Sequence, residues 1–187
     1  GGAHRDCPLY YKVDWNVMKE TAIEAERLGY DHLLAADHLG FITPDSFIYE
    51  VWTTLTALSA VTKKVKFEPL VICNSYRNPA VLAKMSATFD VISNGRLMLG
   101  YGAGWNEKEY NAYGIPFSKP IVRIEQMKEG VTIIKKMWTE SKPTFEGKHY
   151  KIREAMCEPK PVQKPHPPII IGAVQPHMLK AVAEVGD

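Results

Sequence analysis

Amphipathic helices alternate with short apolar runs along this chain of 187 residues, and this alternation restricts the possible folds more than any other sequence feature. From Asp14 to Leu28 the apolar side chains recur every three or four residues, which predicts a helix that ends at Gly29. The next run, His32 to Ala36, is short and apolar, as in a buried parallel strand. The same order continues, and it predicts helices over 52–61, 79–92, 121–138 and from about 177, and strands over 65–72, 97–101 and 169–171.

Strands that alternate with helices of this length form a mostly parallel α/β sheet. The pattern alone does not decide between an open sheet and a closed barrel. A closed (β/α)8 barrel typically needs about 250 residues. Because only four such strands are visible in 187 residues, the length favours an open sheet or an incomplete barrel, in a single domain over 1–187.

The periodicity changes between Pro143 and Pro168. The runs 144–145 and 149–152 flank a Glu-Gly-Lys turn, which predicts a small hairpin, and a proline-rich stretch follows. We interpret 143–168 as an excursion between two strand-helix units of the same domain. The loop 102–117, by contrast, contains no clear core element.

Charge and cysteine content limit the classes of partner and of site that this chain can have. Lys and Arg number 23 against 21 Asp and Glu, with no contiguous basic run, so a nucleic-acid partner has no support. Three cysteines, Cys7, Cys73 and Cys157, without CxxC spacing argue against a disulfide framework and against a zinc site. No apolar stretch reaches about 18 residues and no leader is visible, so we expect neither a membrane span nor a signal peptide. We expect a cytoplasmic protein with a small-molecule substrate and no bound metal.

Two long segments carry a resemblance to a known family. EVWTTLTALSAVT at 50–62 and YRNPAVLAKMSATFDVISNGRLMLGYGAGWNEKEYNAYG at 76–114 resemble the luciferase-like monooxygenase family almost throughout. AERLGYDHLLAADH at 25–38 and PKPVQKPHPPIIIG at 159–172 extend the resemblance over most of the chain. The GAGW combination is typical of the branch that uses the deazaflavin coenzyme F420.

The resemblance implies a (β/α)8 TIM barrel of the luciferase-like type, of which this chain carries the second to the fifth strand. The first strand would precede the helix at Asp14, and the last three would follow Asp187. Since the first residue is Gly, we expect that the chain does not begin where its gene does. It is then a fragment, a longer protein seen in part, or a reduced barrel. An open half-barrel exposes strand edges and apolar faces, so we expect a homo-oligomer.

Asp37 and His38 directly follow the strand at 32–36, and in parallel α/β folds the site lies at the carboxyl ends of the strands. A histidine can exchange a proton near neutral pH, and an aspartate can fix its orientation. The alternative is that Asp37 caps the following loop and His38 is a satisfied polar residue. The resemblance implies that His38 lies beside the deazaflavin ring and assists hydride transfer.

Leu70, Val71 and Cys73 end the strand at 65–72. From the residues alone this is simply a core strand. The resemblance implies a cis peptide bond between Leu70 and Val71 that props the cofactor ring from behind. We expect Cys73 to be inert packing, because no His or Lys is placed by the sequence to lower the pKa of its thiol.

Small residues follow the strand at 97–101, and small residues permit close approach of the backbone to a planar ring or a phosphate. Trp105 stands where some F420 enzymes carry an acidic proton donor, so the general acid is not identified by the resemblance. We interpret Glu107 and Glu109 as solvated charges on the first turn of a helix. The predicted cofactor-binding residues of this segment are Gly102, Ala103, Gly104 and Asn106.

Gly172 and Ala173 follow the strand at 169–171. Backbone N–H groups of such a loop, together with the N-terminus of the following helix, suit an anionic phosphate tail. The alternative is an ordinary turn between a strand and a helix.

Four further side chains have a structural interpretation. Glu50 and Trp52 open a helix, and we interpret them as its cap and as core packing. Arg77 and Lys84 could serve the acidic tail of a cofactor, but we assign both to a solvated face.

These observations predict an oxidoreductase that transfers a hydride between F420 and a small organic substrate. Two alternatives stay open. One is an FMN-dependent monooxygenase of the same family, which uses reduced flavin and dioxygen. The other is a non-catalytic, flavin-binding reduced barrel; the missing strands favour it, whereas the intact Asp37, His38 and GAGW segments oppose it.

Overall fold

The structure is a computed structural model that describes residues 14–40, 48–173 and 176–187. Cys7 lies outside the described residues. Six helices alternate with parallel strands in this part of the chain, and one antiparallel pair interrupts the order. The helices are α1 Trp15–Arg27, α2 Val51–Val61, α3 Pro79–Ile92, α4 Glu107–Ala112, α5 Pro120–Thr139 and α6 Pro176–Val185. The strands are β1 His32–Ala35, β2 Lys66–Pro69, β3 Ile72–Cys73, β4 Leu99–Gly102, β5 Phe145–Glu146, β6 Lys151–Ile152 and β7 Ile169–Ile171.

Side-chain caps fix where the first three helices begin. The Asp14 carboxylate accepts hydrogen bonds from the N–H groups of Asn16 and Val17 at the start of α1. Glu50 does the same for α2, as predicted, and Asn78 caps α3, whose first residue is a proline. The predicted helix boundaries are therefore confirmed to within one or two residues.

The parallel strands lie beside one another in chain order. β1 pairs with β2, and β3, β4 and β7 form a second ladder. A parallel bridge between Phe67 and Leu97 joins the two ladders. Because these strands are all parallel, their carboxyl ends lie at the same edge of the sheet. The segments that follow the strands come together there.

The strand predicted over 65–72 is wrong in one respect, because it is divided into β2 and β3. The peptide bond between Leu70 and Val71 is cis, as the resemblance implied, and the pairing changes from β1 to β4 across it. Pro69, the last residue of β2, is the one sign of this division in the sequence, because a proline has no N–H to continue a ladder.

The core lies between the sheet and the helices α2, α3 and α5. Phe67 and Phe89 meet edge to face with ring centroids 5.7 Å apart, and Trp52 packs on Phe89 at 5.8 Å, which confirms its predicted core role. The Trp138 indole donates to the carbonyl of Ala83 at 3.0 Å, which fastens α5 to α3.

Arg96 is a buried cation that the sequence analysis did not single out. Its guanidinium donates to the carbonyls of Ser59, Thr62 and Val65 at 2.7 to 3.1 Å, and it lies 5.2 Å from the ring centroid of Phe67. Burial lowers the pKa of Arg96 below its ordinary value. The side chain joins the end of α2 to the start of β2.

The hairpin predicted within 143–168 is present as the antiparallel pair β5 and β6. Its turn is held by the Glu129 carboxylate of α5, which accepts from the N–H groups of Lys148, His149 and Tyr150 at 2.8 to 2.9 Å. The excursion is therefore fixed on the helix beneath it.

The loop 102–117 was expected to lack a core element, and this is wrong. It contains α4, whose Glu109 and Tyr110 side chains are buried. Two turns are too short for a periodic apolar face to be visible in the sequence. No helix in the described ranges is long and apolar enough to cross a membrane.

Candidate functional site

A cleft of about 640 Å³ opens where β1, β3, β4 and β7 end. Ligand sites in proteins usually enclose about 300–1,000 Å³, so this cleft can hold a small molecule or a cofactor ring. All eleven predicted site residues line it: Asp37, His38, Leu70, Val71, Cys73, Gly102, Ala103, Gly104, Asn106, Gly172 and Ala173. Seven further lining residues were not predicted for the site: Tyr76, Trp105, Glu109, Pro120, Arg123, Ile124 and Met178.

His38 is held by Glu109. Its Nδ1 atom lies 3.0 Å from both carboxylate oxygens of Glu109, which follows it by 71 positions in the chain. The same carboxylate accepts from the N–H groups of Leu39 at 2.9 Å and Gly40 at 3.1 Å, and from the Tyr76 hydroxyl at 2.8 Å. Burial alone would raise the pKa of Glu109, but these hydrogen bonds hold the pKa below its ordinary value.

The prediction that Glu109 is a solvated charge is therefore wrong. Its side chain is 0% exposed, whereas Glu107, in the same first turn of α4, is exposed, as predicted. The acidic pair reads as surface charge in the sequence, because the donors to Glu109 come from the segments after β1 and β3. The only local sign that Glu109 is buried is that it directly precedes Tyr110, a large aromatic residue.

Asp37 was expected to orient His38, but its carboxylate is bonded to other residues. Its carboxylate is buried and accepts two hydrogen bonds from Arg77, at 2.7 and 2.9 Å, and one from the N–H of Cys73 at 2.9 Å. Arg77 also pairs with Glu50 at 2.6 Å. The carboxylate of Asp37 is thus occupied by the guanidinium and by the backbone of β3.

The assignment of Arg77 to a solvated face is wrong as well, since its side chain is only 12% exposed. The planar guanidinium matches the two oxygens of Asp37 in a bidentate pair. Lys84 is exposed, as predicted, and donates to the carbonyl of Glu158. Neither cation is free in the described residues for the acidic tail of a cofactor.

The Val71 side chain fills the space that side chains at two glycines would occupy. A Cβ atom on Gly102 would lie 2.7 Å from Val71 Cγ2, and one on Gly172 would lie 3.0 Å from the same atom. Leu70, the preceding residue, is 53% exposed. The small residues therefore serve the packing of Val71, and Leu70 and Val71 present an apolar surface to the cleft.

Gly104 is required by its neighbours. Its φ of +77° suits glycine, and a Cβ atom there would collide with the Tyr110 hydroxyl and lie 2.6 Å from Cys73 Sγ. The Cys73 thiol lies 3.1 Å from Tyr110 Oη, and burial raises the pKa of this thiol to about 11. Cys73 is protonated at neutral pH, in agreement with its predicted packing role.

The predicted anion site after β7 is smaller than expected. The Gly172 N–H donates to the Tyr101 carbonyl at 3.0 Å, because it continues the ladder between β4 and β7. That N–H is not available to a phosphate, which leaves Ala173. Residues 174–175, which complete this loop, lie outside the described ranges.

Arg123 supplies a cation at the cleft that the sequence analysis missed. The residue is 7% exposed, and its guanidinium lies 4.1 Å from the ring centroid of Phe117. It donates to the carbonyls of Gly104 and Ser118. Within the described part of the chain, no carboxylate lies within 4.0 Å of it, so its charge is not neutralised there.

Trp105 stands at the mouth of the cleft, with 73% of its surface exposed. Its ring meets the His38 ring edge-on, with centroids 5.9 Å apart and an interplanar angle of 83°. The histidine therefore has a buried carboxylate on its Nδ1 side and an exposed aromatic ring at its edge. Among the described residues, no group of three or more His, Cys, Asp or Glu side chains is arranged to hold a metal ion.

Comparisons with known proteins agree on one family. The family described as luciferase-like monooxygenase matches residues 2–187. The F420-dependent glucose-6-phosphate dehydrogenase of Kineococcus radiotolerans is 30% identical over 177 residues, which are 91% of this chain and 50% of that protein. The FMNH2-dependent dimethylsulfone monooxygenase of Pseudomonas putida is 30% identical over 162 residues, 87% of this chain and 44% of that protein.

A solved structure agrees with the fold. An F420-dependent secondary alcohol dehydrogenase, in complex with an F420-acetone adduct, has a TM-score of 0.85 and 25% identity, over 96% of this chain and 54% of its own. The predicted fold, a (β/α)8 barrel that is incomplete in this chain, is confirmed. The chain spans about half the length of the relatives it matches.

Proposed function

Since this chain belongs to the luciferase-like monooxygenase family, we propose that it forms the cofactor-binding part of an oxidoreductase that uses F420. The reaction is the transfer of a hydride between the deazaflavin and a small organic substrate, with His38 exchanging the accompanying proton. The observation that carries the proposal is the single cleft, where the predicted His38, Leu70 and Val71 come together although their strands are separate in the chain.

The cleft fits a flat, largely apolar ring with an acidic tail. Leu70 is exposed although it is apolar, and Val71 is wedged behind it against Gly102 and Gly172. A planar ring laid on these two side chains would remove apolar surface from water, which stabilises the complex by about 25 cal/mol for each Å² covered. When bound, F420 supplies a centre that accepts or donates a hydride.

Arg123 fits the acidic tail of such a cofactor. A buried guanidinium without a carboxylate partner gains from an anion, because charge-assisted hydrogen bonds are roughly twice as strong as neutral ones. Its N–H groups hold only carbonyl oxygens in the described residues. Arg123 thus takes the role that was considered for Arg77 and Lys84, both of which the sequence analysis assigned to a solvated face.

His38 is the residue placed for proton exchange. Its Nδ1 atom is occupied by Glu109, so Nε2 is the ring nitrogen left for a substrate. Trp105 covers the edge of the imidazole. The acidic residue that some F420 enzymes carry at position 105 is absent, which leaves His38 as the proton-exchanging group.

An FMN-dependent monooxygenase is the second candidate. The relative from Pseudomonas putida uses FMNH2 and is as similar to this chain as the F420-dependent dehydrogenase. Both cofactors are flat rings with acidic tails, so the same cleft suits either. The GAGW segment at 102–105 favours F420. The non-catalytic alternative is opposed by His38, because its ring lines the cleft with Nε2 not engaged by Glu109.

Titration of the intact protein with F420 and with FMN, followed by fluorescence, tests the proposal. We expect tight binding of F420 and weaker binding of FMN. Leu70→Asp, which places a charge under the ring, should weaken binding at least tenfold, whereas the exposed Lys84→Ala should leave it unchanged. Tight binding of FMN alone would favour the monooxygenase, and no affinity for either cofactor would exclude both enzymes.

The homo-oligomer and the cytoplasmic location expected from the sequence are part of the same proposal. Cys73 and Cys157 are both free and buried, which suits a reducing compartment. Leu34 on β1 and Leu179 on α6 are more than half exposed, and a second subunit would cover such side chains. Light scattering of the intact protein measures the oligomeric state directly.

A further inference from the structure

Glu109 does more than connect the segments that follow β1 and β3. We propose that it is a positioning residue that holds the proton of His38 on Nδ1 and so leaves Nε2 as the proton acceptor in the cleft. The inference rests on the proposed function only in giving His38 a proton to exchange. The geometry itself is independent of the cofactor.

The hydrogen-bond donors around Glu109 determine the direction of its bond to His38. An ionised carboxylate has acceptor oxygens only, so a ring nitrogen 3.0 Å from both oxygens must be the donor. A neutral imidazole carries one N–H. With that proton on Nδ1, Nε2 presents its lone pair, as in other sites where a carboxylate fixes the tautomer of a functional histidine.

The carboxylate is ionised because every other contact also donates to it. The N–H groups of Leu39 and Gly40 and the hydroxyl of Tyr76 all point at its oxygens. A protonated acid would bring its own hydrogen among these donors and leave one without an acceptor. The side chain is fully buried, so water does not substitute for any of them.

The substitution Glu109→Gln distinguishes positioning from a purely structural role. If the role were purely structural, the His38 tautomer would stay unchanged. Gln at position 109 has the same shape, and its carbonyl can still accept from Leu39 and Gly40. Its NH2 group then faces Tyr76 Oη and His38 Nδ1. The Tyr76 hydroxyl can rotate to accept, but Nδ1 can accept from the NH2 group only when the proton moves to Nε2. The Gln carbonyl stays within reach of Nδ1 as well, so Gln accommodates both tautomers, whereas the carboxylate accommodates only the Nδ1–H form. Glu109→Gln thus keeps the fold and allows the Nε2–H tautomer to be populated.

A proton taken up at Nε2 converts the ring to an imidazolium whose Nδ1–H stays on Glu109, and its release restores the starting state. The other ionisable groups around this ring are few. Tyr76 comes from the turn after β3, Tyr113 at the end of α4 donates to the Leu39 carbonyl at 2.7 Å, and Asp37 is paired with Arg77. In the described ranges, Glu109 is the carboxylate within 4.0 Å of the His38 ring.

The test is ¹⁵N NMR of the intact protein with labelled histidine, without any cofactor. The His38 signals are assigned by their loss in His38→Gln. We expect the Nδ1–H tautomer in the unsubstituted protein, a measurable population of the Nε2–H tautomer in Glu109→Gln, and the original state in Glu107→Gln, which alters an exposed carboxylate on the same helix. An Nε2–H tautomer in the unsubstituted protein, or no change in Glu109→Gln, would overturn the inference.

Turnover separates this inference from the proposed function. Loss of an outer partner of a functional group typically costs roughly 10- to 100-fold in activity. We expect that loss in the kcat of Glu109→Gln, with a nearly unchanged KM for substrate and an altered pH profile. If the tautomer shifts in Glu109→Gln but no protein turns over with F420 or FMN, the proposed function fails and the positioning stands. If all proteins turn over equally, positioning fails and the function stands. Thermal melting confirms that each variant is folded.

Discussion

Val71 and Gly102 interlock at the floor of the cleft, where a Cβ atom on Gly102 would lie 2.7 Å from Val71 Cγ2. The valine side chain is β-branched and stiff, so it does not rotate freely out of the way. The shape of the surface that would carry a cofactor ring is therefore set by one contact between β4 and the residue before β3.

Gly102→Ala should destabilise the protein by about 1–3 kcal/mol, because it overpacks this contact. Val71→Ala alone should also cost stability, since it leaves a small cavity. The double variant replaces one of the two methyl groups that Val71→Ala removes and relieves the contact that Gly102→Ala overpacks, so its loss should be smaller than the sum of the single losses by at least about 0.5 kcal/mol. Urea unfolding of the four proteins measures this, and strictly additive losses would show that the two residues do not interlock.

Arg96→Lys should lower the free energy of unfolding by about 2–4 kcal/mol, because an ammonium cannot reach three separate backbone carbonyls and leaves some of them unpaired. Arg153 is exposed, so Arg153→Lys is the matched control and should have little effect. Chemical denaturation at neutral pH gives both values. An equal effect of the two substitutions would mean that the contacts of Arg96 do not hold α2 to β2.

Glu109 should make the protein sensitive to acid. Its folded-state pKa is lowered, so it binds protons less readily in the folded than in the unfolded chain. Its contribution to stability is fully present above the ordinary glutamate pKa of about 4.3 and is lost as the pH falls through the lower, folded-state pKa.

Unfolding free energies measured from pH 7 down to the lowest pH at which the protein stays folded should therefore fall more steeply for the unsubstituted protein than for Glu109→Gln. Glu107→Gln should follow the unsubstituted protein. Parallel curves for all three would show that Glu109 is not a stabilising anion.

Arg123→Met should weaken the binding of FMN and F420 but leave riboflavin, which has the flavin ring without the phosphate, unaffected. Hydrogen bonds to charged groups contribute about 1.5–3 kcal/mol, which corresponds to roughly a 10- to 150-fold change in Kd. Fluorescence titrations with the three ligands provide the comparison. An equal loss for riboflavin and FMN would indicate that Arg123 supports the ring or the fold instead.

Local patterns were sufficient for most of the fold. The helices from α1 to α3 carry caps and a periodic apolar face, and their bounds follow from neighbouring residues. The strands β1, β4 and β7 could be predicted in the same way, because each is a short apolar run. The division between β2 and β3 was not predicted, although Pro69 in the run 65–72 marks it; only the cis peptide bond was expected, from the family resemblance.

The sequence predicted many of the residues that line the cleft, but not the hydrogen-bond partners of its charged residues. His38 and the cleft-lining residues were expected because they follow strands. The partners of the charged residues were not, since Glu109 is 71 positions from His38 and Arg77 is 40 positions from Asp37. A charged residue reads as exposed until its partner is known, which is why Glu109 and Arg77 were both assigned to the surface.

The hairpin of β5 and β6 has a consequence for the core beneath it. The Tyr101 hydroxyl donates to Asn74 Oδ1 at 2.5 Å, and Asn74 Nδ2 donates to the Tyr150 hydroxyl of the hairpin at 3.0 Å. Asn74 and Tyr101 are almost completely buried. A chain without the hairpin would leave the amide of Asn74 short of an acceptor in a buried place, and a buried donor without a partner costs about 1–3 kcal/mol. The surface hairpin is thus also a part of what completes the interior.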